Sequence, residues 1–232
     1  MSVQETVEKL RELYAQRRPV MKAQLRLDNE ASAQIRLALG WTPDLTEKER
    51  KAICLKADKV RNMILKDKPV PAELAEVAER VEPFVLACKV ARTPFDSRRR
   101  ELERHMRKGA EALPVWPWAE EVRGFGALGL ATIVGEAGDL GNYAGPAKLW
   151  KRMGLGLVGG EIQRKYRDKE KAAAHGYCPR RRSVSWNIGD PLIKGNDDGY
   201  RTLYDERKAY EMARDPEMSK GHAHKRAQRY ME

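Results

Sequence analysis

The chain has little of what marks a membrane, secreted or metal-dependent protein. No run of about 18 apolar residues exists, so a membrane span is excluded from the sequence. Its three cysteines, Cys54, Cys88 and Cys178, are too few and too scattered for a disulfide framework. A reducing, cytoplasmic setting is the default for such usage. Aromatic residues make up only 7% of the chain. No Cys-x-x-Cys, phosphate-binding Walker loop or His-Glu-x-x-His is present. These absences point to no cofactor and no metal. The first residues, Met1 to Arg11, are polar and mixed in charge, unlike a secretory signal or an Arg-rich transit peptide.

What is present is positive charge. Over 232 residues, 45 Lys and Arg stand against 34 Asp and Glu, a net +11. The mean hydropathy is −0.70 and the isoelectric point about 9.6. Residues 1–100 hold 21 basic and 15 acidic groups, net +6; residues 101–150 hold 5 and 7, net −2. Residues 151–182 hold 10 and 3, net +7. This stretch carries Lys151, Arg152, Arg164, Lys165, Arg167, Lys169, Lys171 and the run Arg180, Arg181, Arg182. Such a concentration is the footprint of a phosphate-backbone binder, or else a solvated surface segment.

Periodicity predicts a mainly α protein. Val3, Val7, Leu10 and Tyr14, then Leu27, Ala31 and Ile35, form a helical stripe over residues 2–39, with a kink or restart at Pro19 and a stop at Gly40. Thr46 to Glu49 is a capping box opening a second helix, whose face is Ile53, Ala57, Val60 and Ile64. A third helix opens near Pro71 with Leu74, Val77, Ala78, Val81, Val85 and Cys88 on one face and a bend at Pro83. A fourth, very polar, covers 96–110 after Thr93 and Pro94. Residues 1–110 therefore read as a helical bundle or coiled-coil arm. No heptad runs cleanly for three or four repeats.

The texture changes after about 110. Pro114, Trp116, Pro117 and Trp118 make a rigid aromatic junction, and eleven glycines fall between Gly124 and Gly160. Residues 111–232 read as a second, helical domain. In it Arg123, Gly124, Phe125 and Gly126 form a tight turn between a short helix ending near Val122 and a helix from Ala127 to about Gly138. This is a helix-hairpin-helix pattern. Its glycines permit positive φ, and its N–H groups suit a nucleic-acid phosphate at a helix start. The same glycines equally serve close helix packing. Tyr200, Leu203, Tyr204 and Tyr210 mark a later helix, and a basic helix starts near Gly221. It reads as continuing through Glu232, as in a truncated chain.

The turn is followed by Val134-Gly135-Glu136-Ala137-Gly138-Asp139-Leu140, Tyr143, Ala147-Lys148-Leu149-Trp150 and Met153-Gly154-Leu155-Gly156. Together, 122–156 resembles the C-terminal domain of a bacterial insertion-sequence transposase family. Its members pair an N-terminal resolvase-like nuclease domain with a serine-bearing C-terminal domain, and the pilin-gene invertases are relatives. Gly176 to Ser183 looks like a variant of the family's basic helix start, and Gly221 to Tyr230 is similar to its closing basic helix. The likeness spans roughly 110–232. It implies a DNA-binding protein of transposition and recombination, from a mobile element, with duplex or junction DNA and in some members a guide RNA as partner. The residues expected to meet the nucleic acid, from the hairpin, the basic stretch and the basic helices, are Arg123, Gly124, Phe125, Gly126, Lys148, Lys151, Arg152, Arg164, Lys165, Arg167, Arg180, Arg181, Arg182, Lys225 and Arg226.

This sequence departs from the family in two places. Residues 1–110 show no β-rich segment with an early Asp and spaced carboxylates. The nucleophilic serine expected after Gly154-Leu155-Gly156 is missing, and the next hydroxyls are Ser183 and Ser185. These two are the catalytic candidates beside Arg180 to Arg182; otherwise Ser183 starts a helix. The expectation is nucleic-acid binding without autonomous cleavage. The alternatives are a divergent active recombinase needing a separate nuclease subunit, and an assembly protein that forms a homo-oligomer through its N-terminal helices. Glu136 with Asp139, and His222 with His224, are weak metal candidates without enough ligands. Trp116, Trp118, Trp150 and Trp186 are candidates for base stacking or for packing.

Overall fold

The structure is a computed structural model describing residues 2–196 and 198–232. Among the described residues it is mainly helical, with ten α-helices and one two-stranded antiparallel sheet. The mainly α class predicted from periodicity is the class observed.

Three long helices come first: α1 (Val3–Ala38), α2 (Glu47–Leu65) and α3 (Ala72–Glu111). The capping box opens α2 as its sequence requires: Glu49 N–H donates to Thr46 Oγ1 at 3.3 Å, and Thr46 N–H donates to Glu49 Oε2 at 2.9 Å. The prolines do not divide the helices. Pro19 lies inside α1, and Pro83 and Pro94 lie inside α3. The separate helix expected over 96–110 is the second half of α3. All three prolines are exposed. The carbonyl that each leaves without an N–H donor therefore lies on the solvent-facing side of its helix.

The chain divides into two compact units, one of Gln16–Leu102 and one of Glu103–Glu232 with the segment up to Ala15. The division read from composition, 1–110 and 111–232, differs at both ends. In the smaller unit the core is Ala31 and Ile35 of α1, Ala57, Val60 and Ile64 of α2, and Leu74, Ala78, Val81 and Val85 of α3. Each fully buried Val, Leu or Ile contributes about 1.5–3 kcal/mol. Ile53 and Val77, on the same predicted faces, are half-buried.

The larger unit continues with α4 (Trp116–Glu121), α5 (Gly126–Ala137), a 3₁₀ turn at Leu140–Asn142, α6 (Pro146–Arg152), strands β1 (Leu157–Val158) and β2 (Glu161–Ile162), α7 (Lys169–His175), α8 (Pro179–Gly195), α9 (Tyr200–Arg214) and α10 (Lys220–Met231). Leu10 and Tyr14 of α1 are buried in this unit, whereas Val3 is exposed. Gly135 of α5 lets Tyr14 lie so near that an added Cβ would come within 2.6 Å of it. Helices α8, α9 and α10 share a second core of Leu192, Tyr204, Ala227 and Met231. A buried glutamine ties the two ends of the small sheet to the end of α7. Gln163 Oε1 accepts from Gly156 N–H at 2.9 Å, and its Nε2 donates to the His175 carbonyl at 2.5 Å.

Candidate nucleic-acid interface

The hairpin forms where the glycines place it. α4 ends at Glu121 and α5 starts at Gly126, with φ +87° at Gly124 and +60° at Gly126. The two glycines do different things. A Cβ at Gly124 would collide with the Pro191 carbonyl of α8, and one at Gly195 would come within 2.7 Å of the Arg123 carbonyl. The turn is therefore packed backbone to backbone on α8. Gly126 has open space where its Cβ would be. Phe125 packs against the α8–α10 core and lies 6.2 Å from Trp118, centroid to centroid. Its ring is half-buried and helps hold the turn against that core. Arg123 is exposed. Of the four turn residues, Arg123 and Gly126 remain open to an anion beside the start of α5.

The arginine run is engaged with buried carboxylates. Arg180 donates to Glu136 twice, and Arg181 donates to the same carboxylate at 3.1 Å. The Glu136 side chain is 2% exposed. Burial pushes its carboxyl up, but hydrogen bonds from Arg180, Tyr14 and Arg181 outweigh that and hold it below the usual carboxylate range. Arg182 donates to Glu232 at 2.7 Å and lies over the Trp186 ring. Burial pushes the Glu232 carboxyl up despite Arg182 and Arg229 beside it. Burial, with the charge of Arg182, pulls Arg229 down. The sequence reads Arg180 to Arg182 as a phosphate grip; the structure spends most of their charge on internal ion pairs.

Ser185 is buried, its hydroxyl donating toward the Met153 and Arg181 carbonyls at 3.3 and 3.4 Å. Ser183 lies on α8 and is exposed. Asp139 caps the 3₁₀ turn, accepting from Gly141 N–H at 2.9 Å. With Glu136 held by two arginines, this pair does not resemble a cation site. His224 shares a hydrogen bond with the Tyr204 hydroxyl at 2.8 Å and packs on Trp186, while His222 is exposed.

The other predicted cations separate into two groups. Lys148, Lys151 and Arg226 line one open cleft of about 1260 Å³, bounded by α6, the sheet, α9 and α10. Arg152, Lys165, Arg167 and Lys225 are exposed outside that lining. Arg164 is exposed as well, but donates to the Tyr166 hydroxyl at 2.8 Å and pairs with Glu161.

The cleft also holds residues that the sequence does not single out as basic. Arg207, Arg214 and Arg229 complete a set of six cationic side chains against two carboxylates, Glu211 and Glu232. Glu211 is fully buried and bound on two sides. Arg207 donates to its Oε1 at 2.5 and 2.9 Å, and Arg226 to its Oε2 at 2.8 Å. The Arg226 hydrogen bond, with that of Arg207, holds the Glu211 carboxyl below the usual range against its burial. Arg207 lies over both the Tyr210 ring, at 5.0 Å, and the Tyr230 ring, at 4.7 Å. A signal for these residues existed in the sequence. Arg207, Glu211 and Arg214 recur at helical spacing on α9, and Arg226, Arg229 and Tyr230 do so on α10. Only the pairing of α9 with α10 turns the two stripes toward one space. Comparison with family models, curated proteins and solved structures returns no significant match to this chain.

Proposed function

We propose that this chain binds nucleic acid through the basic cleft of its larger unit, as a transposase- or recombinase-like protein that grips phosphates without cutting strands itself. One observation carries the reading: six Lys and Arg side chains face one open cleft against two carboxylates, an excess of four positive charges. Both carboxylates are already engaged by arginines. An anionic polymer satisfies such a wall better than a small acid, because each neutralised phosphate releases counterions. Open Arg123 and Gly126 at the start of α5 support a further phosphate contact. The likeness of 122–156 to the transposase C-terminal domain supports duplex or junction DNA, or a guide RNA, as the polymer. The engaged hydroxyl of Ser185 supports binding over catalysis.

Fluorescence anisotropy with linear duplex, four-way junction and structured RNA over a salt series tests this. Steeply salt-dependent binding that weakens in Lys148→Glu and Lys151→Glu is the expected result. Absence of binding to all three at physiological salt refutes the proposal. A second reading is favoured by the exposed Leu25, Leu37, Leu55 and Val90 on α1, α2 and α3. Such residues suit self-association through the N-terminal helices. Light scattering of the full chain tests it, and a monomer at all concentrations rejects it.

A further inference from the structure

We infer that the cleft takes an unpaired stretch of polynucleotide, with phosphates on its cations and bases stacked on Trp150 and Tyr230; this rests on the nucleic-acid reading above. Three observations converge. First, the cleft of about 1260 Å³ exceeds the roughly 300–1,000 Å³ of ordinary small-molecule sites. It is sized for a piece of chain. Second, its charge is positive, and its two carboxylates are bound by arginines. Third, two aromatic rings stand open within it: Trp150 is 51% and Tyr230 59% exposed. Open rings beside a wall of cations offer faces on which bases can stack while the phosphates meet the charge.

Tyr230 is held for this purpose. Arg207 lies over its ring, and the buried Glu211 fixes that guanidinium with two hydrogen bonds. A ring held in this way loses little side-chain freedom when a base stacks on it. Leu157 and Ile162, exposed at the two ends of one cross-strand pair, add an apolar rim on the sheet side.

The combination selects among anionic polymers. A duplex presents phosphates and hides its base faces, so it gains from the cations and not from the rings. An acidic peptide likewise meets only the charge. An unpaired strand uses both, since every base has a π-face.

The test uses the full chain and four probes: a fluorescein-labelled oligo-dT and an oligo-U of about 20 nucleotides, a duplex of the same length, and poly-glutamate. The expected result is that Trp150→Ala and Tyr230→Ala each weaken the single strands about tenfold. Duplex affinity should change less than about twofold, because its phosphate contacts persist. Trp150→Phe, which keeps a stacking face, should restore most of the loss. Unchanged thermal unfolding of the variants shows that the exposed side chains were not removed at the expense of the fold. The dT-to-U ratio reports the combined preference for sugar and base methyl, and binding of either supports the inference. Equal weakening of single strand and duplex, or no weakening, overturns it. Poly-glutamate bound by the parent as tightly as oligo-dT also overturns it, in favour of an acidic chain. Binding of duplex but not of single strands overturns the inference and leaves the nucleic-acid reading standing. Binding of neither overturns both.

Discussion

Arg180 meets Glu136 in a forked contact, Nε to Oε2 at 3.0 Å and Nη2 to Oε1 at 2.7 Å, across 44 residues of sequence. It ties the N-terminal end of α8 to the last turn of α5. Breaking a buried pair from one side leaves uncompensated charge and costs about 3–5 kcal/mol. Because Arg180 is itself partly exposed, Glu136→Gln should fall at the lower end, near 3 kcal/mol. Denaturant unfolding measures it, and a loss below about 1 kcal/mol would show that water already shields the pair.

The same contact sets an acid dependence. The folded carboxyls of Glu136 and Glu211 both lie below their ordinary value. Their stabilisation is fully present above the unfolded carboxylate pKa of about 4.3 and is lost as pH falls through the lower folded values. Glu232 runs the other way, since its raised carboxyl favours the fold as it protonates. Stability should therefore drop below about pH 4.3 in the parent, with a shallower drop in Glu136→Gln and Glu211→Gln. Thermal melts from neutral to acid pH check this, and parallel curves for parent and variants contradict it.

The two turn glycines should separate. Gly124→Ala forces the Pro191 carbonyl away as well as straining a φ of +87°. Gly126→Ala strains a φ of +60° with no collision and should cost about 1–2 kcal/mol. The melting temperature of Gly124→Ala should fall clearly further. Equal losses would mean that α8 moves aside freely. Because Gly124 is a packing residue, loss of binding on its mutation says nothing about phosphates. Arg123→Ala is the informative variant.

The cation classes should separate too. Lys148→Ala and Lys151→Ala should weaken nucleic-acid binding and reduce the salt slope by about one each, without loss of stability. Arg182→Ala should lower stability through its ion pair with Glu232. Anisotropy over a salt series, beside melting curves of the same variants, distinguishes the classes. An Arg182 variant that melts like the parent contradicts the assignment.

Proline in a helix interior costs about 3 kcal/mol relative to alanine. Pro94 is exposed within α3, so Pro94→Ala should raise the melting temperature. A lowered one would mean that Pro94 itself contributes to the packing of α3.

The sequence by itself determined the local structure. The stripe of Ala57, Val60 and Ile64 fixes which face of α2 is buried, the capping box fixes its start, and the glycines at 124 and 126 fix the turn. These signals act within one or two helical turns, where spacing alone decides which side chains share a face. The break expected at Pro94 does not form, because whether proline interrupts a helix depends on which face it occupies. Tertiary structure decided the roles of the charges. Arg181 and Lys151 are equivalent in a charge count, yet one binds buried Glu136 and the other lines the cleft. A cation's availability depends on whether folding brings a carboxylate to it. The carboxylates that bind Arg180, Arg181, Arg182 and Arg226 lie 15 to 50 residues away, from Arg226–Glu211 to Arg182–Glu232, beyond the reach of any local pattern.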